Sequence, residues 1–173
     1  MLEVLFKTQK WLAMEIRYND GEIAAFISEP KQLPDNYMKI LLPDAEKCQN
    51  QRTVDITGNN GYVFRIFVKK HHKYEENFSI GFGVKRNNSK DIFILKRYNC
   101  KQQHTNFLES ETIFGYHIHT ATQRYQEIGR KSEGYAEQTT RYNNALGALK
   151  CLIADCNFKK PPVDQYELFE VTA

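Results

Sequence analysis

Hydrophobic and polar positions alternate strictly from Phe78 to Val84, with Phe78, Ile80, Phe82 and Val84 apolar, and this period of two predicts a half-buried strand. After the turn residues Asn87-Asn88-Ser89, the run Ile92-Phe93-Ile94-Leu95 predicts the next strand. Upstream, the segments 38–42, 52–57 and 62–68 are short and rich in β-branched or aromatic residues, so they too read as strands. Gly58-Asn59-Asn60-Gly61 between the last two is a hairpin turn. A further strand carries Tyr116, Ile118 and Thr120 on one face and His117 and His119 on the other. Two segments have the helical period instead. Asn19 offers a cap ahead of Asp20 and Glu22, after which Ile23, Ala24, Phe26 and Ile27 share a face, and Pro30 and Pro34 end the helix. From Asn143 to Asn157, Leu146, Leu149, Leu152 and Ile153 form an apolar stripe, with Asn143 or Asn144 as the cap.

The pattern predicts an α+β fold: a mainly antiparallel sheet of five to six strands, with an amino-terminal helical segment and a carboxy-terminal helix. Its parts are an amino-terminal helical segment over 1–36, an α+β domain over 37–158 and a carboxy-terminal extension over 159–173. A chain of 173 residues suits one domain, and 41% hydrophobic with 13% aromatic content excludes a disordered chain. The net charge of +3 permits a nucleic-acid partner without requiring one. No apolar run approaches the about 20 residues of a membrane helix, and the amino terminus lacks the basic start and apolar stretch of a signal peptide. The expectation is a cytoplasmic protein with no membrane partner. Cys48, Cys100, Cys151 and Cys156 form no Cys-x-x-Cys pair, which fits reduced, incidental thiols and no cofactor.

Chemistry concentrates in one stretch, where His104, His117 and His119 fall within sixteen residues. His117 and His119 are two apart, so on a strand both imidazoles lie side by side on one face, expected to be exposed, while Ile118 points to the core. Three readings follow. In the first, His117 and His119 share the base and acid roles of RNA phosphodiester cleavage, with Arg97, Arg124 or Lys96 facing the charged transition state. His104 completes that set. Tyr98, Tyr116, Tyr125 and Tyr135 are candidates to stack on bases or donate a proton. In the second, His104, His117 and His119 are metal ligands, with Glu109, Glu111 or Glu137 nearby. In the third, the histidines are ordinary strand residues and the protein only binds. Lys69 and Lys70, within Lys69-Lys70-His71-His72-Lys73, could then meet a phosphate backbone or simply form a solvated loop. Gly81 and Gly83 lack the helix and lysine of a phosphate loop and mark a bulge or close backbone approach.

The stretch from about Ile40 to Phe158 resembles a family of small uncharacterised bacterial proteins, often encoded near mobile elements. The resemblance rests on Arg97, His104-Thr105-Asn106, Glu109 with Glu111, His117-Ile118-His119, Gly134-Tyr135-Ala136-Glu137 and Cys156-Asn157-Phe158. The arrangement is more distantly similar to TumE-like toxins of bacterial toxin–antitoxin modules, which have an Arg-Tyr-Asp run, a His-x-His strand and a helix. Here Arg97-Tyr98-Asn99 places asparagine at the acid's position. The similarity to TumE-like proteins implies a toxin, and joined to the metal-free histidine chemistry above it gives a metal-independent endoribonuclease-like toxin or defence-related protein, whose partners are RNA and a cognate antitoxin or a defence-complex protein. The substrate-binding candidates, from the basic run, the tyrosines and the His-Thr-Asn turn together, are Tyr116, Tyr135, Lys69, Lys70 and Asn106. The alternatives are a protein that blocks a nucleic-acid-processing or defence complex, and a small histidine-ligated metalloprotein.

Overall fold

The computed structural model of the chain describes residues 17–43, 51–71, 74, 76–85 and 91–162. Helix α1 spans Asp20–Ser28 and starts with a capping box, in which the Asn19 side chain accepts from the Glu22 amide and the Glu22 carboxylate accepts from the Asn19 amide. It buries Ile23 and Phe26. A two-residue strand β1, Lys31–Gln32, follows, and then a short helix α2, Tyr37–Leu41. The strand expected over 38–42 is therefore a helix. Its buried residues Tyr37, Met38 and Leu41 repeat with helical spacing, and a segment this short cannot declare its period in the sequence.

Six strands form the main sheet: β2 Gln51–Thr57, β3 Val63–Lys70, β4 Phe78–Lys85, β5 Ile92–Asn106, β6 Glu111–Thr120 and β7 Tyr135–Gln138. Their spatial order is their chain order, and every neighbouring pair is antiparallel. Through β6 this is the predicted meander; β7 is an added edge strand that the sequence pattern did not predict. A one-turn helix α3, Gln123–Glu127, lies between β6 and β7. The predicted closing helix, α4, spans Ala145–Asp155 and is capped by Asn144, whose side chain accepts from the Gly147 amide. It packs on β4 and β5, burying Leu149, Leu152 and Ile153, while Leu146 of the predicted stripe stays exposed. The core lies between α1, α2 and α4 and one face of the sheet, here called the core face. Among the described residues, no helix is long and apolar enough to cross a membrane. Cys100 and Cys156 are buried and Cys151 half-buried, all three free; Cys48 lies outside the described residues.

Near the two ends of the described chain, β1 pairs in parallel with β8, Phe158–Lys159. Their junction is organised by one buried cation. Lys31 is 0% exposed, and its Nζ donates to the carbonyls of Ile27, Glu29 and Cys156. Those carbonyls lie at the carboxy-terminal ends of α1 and α4, where a positive charge is favoured. The ammonium also stands 4.8–5.1 Å from the ring centres of Phe64, Phe82 and Phe158. Burial lowers its pKa from 10.5 to about 8, so it stays charged at neutral pH.

Candidate functional site

Antiparallel pairing fixes which side chains share the reverse face of the sheet, because partners across a ladder point the same way. One row runs Lys69, Ser79, Asn99, His117 and Gln138 across β3 to β7. The next runs Phe67, Gly81, Arg97, His119 and Ala136. Two irregularities shape the outer part of β5 and β6. The β5–β6 register shifts between Asn99 and Gln102, and Gly115 adopts φ +107°, a conformation that L side chains rarely take. Beyond them the hairpin curls over the reverse face to the backbone of β7. Asn106, 0% exposed, accepts from the Ala136 amide and donates to the Ala136 carbonyl, both at 2.8 Å. His104 Nε2 donates to the Gly134 carbonyl at 2.9 Å.

That cover alters the expected setting of the histidine pair. His117 and His119 share a face with ring centres 4.9 Å apart, but they are 1% and 2% exposed rather than open to solvent. Ile118 on the other side is half-buried against the core, in the direction expected. His104 joins them, its ring 5.6 Å from His117 and 4.5 Å from His119.

The hydrogen bonds assign the protons. His117 Nδ1 contacts the Gly115 carbonyl at 2.8 Å, and His119 Nδ1 contacts the Glu133 carbonyl at 2.9 Å. A carbonyl only accepts, so both rings carry their proton on Nδ1 and keep a lone pair on Nε2. Asn99 Nδ2 sits between those lone pairs, 3.3 Å from His117 Nε2 and 3.1 Å from His119 Nε2, and its two N–H groups satisfy both. Asn99 Oδ1 in turn accepts from the Ser79 hydroxyl at 2.7 Å. From the core face, the Tyr142 hydroxyl donates to the carbonyls of Asn99 and His117, pinning the two strands where these residues face each other. An amide at position 99 lets both imidazoles be neutral. A carboxylate there only accepts and would require a proton on each Nε2, hence charged rings.

Electrostatics agree with neutral rings. Burial, with the Arg97 charge next in weight, holds the His119 pKa down at about 2, and burial also lowers that of His117. Arg97 is half-buried beside the pair, and its Nε is a buried donor with no partner among the described residues. A depressed native pKa means that the unfolded imidazole, titrating near 6.5, takes up a proton that the native one refuses. Stability should therefore fall as pH drops below about 6.5, with His119 alone costing about 2 kcal/mol at pH 5. Urea unfolding at pH 7 and pH 5 measures this, and equal stabilities would contradict the neutral network.

The other sequence-predicted residues divide between the two faces. Lys69 is exposed on the reverse face in the Asn99 row, whereas Lys70 pairs with Phe78 on the core face; His72 and Lys73 lie outside the described residues. Tyr116 faces the core side, packing near Phe78 and Tyr142 and donating to the Asn143 carbonyl. Tyr98 also lies on that side, bonded to Asp155, and Lys96 acts there on Asp155 and Cys156. Arg124 pairs with Glu109 at 2.5 Å and lies over the rings of Tyr125 and Tyr135, so it locks α3 to the β5–β6 turn. Tyr125 donates to Glu109, and Tyr135 to Glu137. Glu111 is exposed. Asn106, with both amide atoms committed to Ala136, has a structural role.

Among the described residues no group of three or more His, Cys, Asp or Glu is arranged to hold a metal ion. Sequence reading missed Asn99, Ser79 and Phe67 as members of this face. Asn99 stood out only as an amide in an acid's place. No family model matches the chain, and comparison with curated proteins and with solved structures yields no match.

Proposed function

We propose that the reverse face around Arg97, Asn99, His117 and His119 is the phosphodiester site of a cytoplasmic, metal-independent endoribonuclease-like protein, a toxin or defence-related protein of a bacterial mobile element. The observation that carries this reading is the pairing of Arg97 with the two imidazoles. A guanidinium whose Nε has no partner among the described residues stands beside two neutral rings whose lone pairs converge on one point. Guanidinium matches a phosphate in charge and geometry, and a neutral imidazole is the form that accepts a proton. In the reaction the 2′-oxygen attacks phosphorus as its proton passes to one Nε2. The bond from phosphorus to the 5′-oxygen breaks, and the other imidazole, in its charged form, returns a proton to that oxygen. Arg97 offsets the charge on the phosphoryl oxygens. Because the two rings are 1% and 2% exposed, the β5–β6 hairpin must lift and the Asn99 amide must turn aside to admit the 2′-hydroxyl.

On this reading the activity optimum is expected on the acid side of neutrality, since burial lowers both histidine pKa values and one ring must be charged while the other is not. Incubating the protein with single-stranded RNA in excess EDTA tests the reading: strand scission is expected, and intact RNA contradicts it.

A second reading has its own observation. At the β5–β6 turn Phe107 and Leu108 are exposed, with Arg130 4.0 Å over the Phe107 ring. Such an apolar tip suits a protein that blocks a partner complex, or a surface that a cognate antitoxin covers.

A further inference from the structure

The row beside the histidines contains a residue that the cleavage chemistry does not use. Phe67 stands opposite Gly81, and the outer end of its ring fills the space where a Cβ on Gly81 would be, with Cζ 2.0 Å from that position. Gly81 lies between Phe67 and Arg97 in the ladder, so the ring leans across β4 toward the strand that carries Arg97. Phe67 is half-buried, which leaves part of the aromatic surface open on this face. Lys69 and Ser79 flank it in the adjoining row, with Lys69 exposed. From Lys69 to His117 the strip crosses three strand spacings, about 14 Å.

We propose that this strip, Phe67 with Lys69, Ser79 and Arg97, is a binding site for single-stranded RNA that stacks one unpaired base on Phe67 and holds its phosphates on Lys69 and Arg97. A partly exposed aromatic ring flanked by cations offers what an unpaired nucleotide needs: a π-surface for the base and positive charge for the backbone. A duplex cannot use it, because its bases are already stacked on one another. The inference rests on the phosphodiester reading of the neighbouring histidines, since the strip would deliver the scissile phosphate to them.

The test uses the full chain and a fluorescein-labelled 2′-O-methyl RNA octamer, which has no 2′-hydroxyl to react. Fluorescence anisotropy should show binding that weakens with salt, and a duplex of the same sequence should bind far less tightly. Phe67→Leu keeps Gly81 covered but removes the π-surface, and should weaken binding about five- to one-hundred-fold. Phe67→Trp should restore binding and show indole fluorescence quenched by the octamer. Lys69→Ala should lower the slope of log affinity against log salt by about one. Unchanged affinity in Phe67→Leu, or equal binding of duplex and single strand, would overturn the proposal. Octamer binding through Phe67 by a protein that leaves ordinary RNA intact would support this site and sink the cleavage reading. Cleavage with no dependence on Phe67 would do the reverse.

Discussion

Replacing Lys31 by methionine should destabilise the protein by about 3–5 kcal/mol, because three buried carbonyls lose their donor together. Methionine fills most of the space but cannot bond to Ile27, Glu29 and Cys156, whose carbonyls converge on Nζ. The change also removes the charge facing Phe64, Phe82 and Phe158 and the ends of two helices. The contacts span 125 residues of chain, so the loss should loosen the β1–β8 pairing as well. Equilibrium urea unfolding at pH 7, with the slope compared between variants, measures the effect. A loss below about 1 kcal/mol would mean that water replaces the ammonium and the junction has another source of order.

The second large effect is catalytic. His117→Gln and His119→Gln should each lower the cleavage rate by about 10²–10⁴-fold, the range for removing a positioned proton-transfer group. Glutamine is the informative substitution here. Its amide N–H groups can still donate toward the Gly115 or Glu133 carbonyl, which His→Ala would leave buried and unpaired at a cost of about 1–3 kcal/mol. It cannot take up a proton. Thermal unfolding at pH 7 should remain close to that of the parent, separating lost chemistry from lost fold. Full activity in the double variant would remove the imidazoles from the mechanism.

Much of the fold was legible because its signals are local. The Asn19 capping box, the 58–61 hairpin turn, the alternation through Phe78–Val84 and the stripe over Leu149–Ile153 each declare an element within one or two turns of chain. Helix α2 was not legible, since five residues hold too little period to distinguish helix from strand. The β1–β8 pairing was hidden for another reason: it joins segments 127 residues apart through backbone bonds, one lysine and the Gln32 amide, none of which leaves a local pattern.

The histidine pair shows the same division. That His117 and His119 share a face followed from their spacing. That the face is covered did not, because the cover comes from the turn carrying Glu133 and Gly134 and from a hairpin bent by a register shift and by Gly115. Phe67 was within reach of the sequence. Once β3 and β4 are paired as a hairpin, the register sets this aromatic opposite Gly81, a juxtaposition that marks a covered glycine and an available ring.

Cleavage of RNA through a 2′-hydroxyl without metal is the property that defines the proposed site. The most direct measurement follows a single-stranded RNA in excess EDTA beside the same strand carrying 2′-deoxy nucleotides, with the product ends identified by mass spectrometry. The expected result is cleavage of the ribo strand to 2′,3′-cyclic phosphate ends, with the deoxy positions left intact. Intact ribo strands, or scission that appears only with added metal and spares no deoxy position, would contradict it.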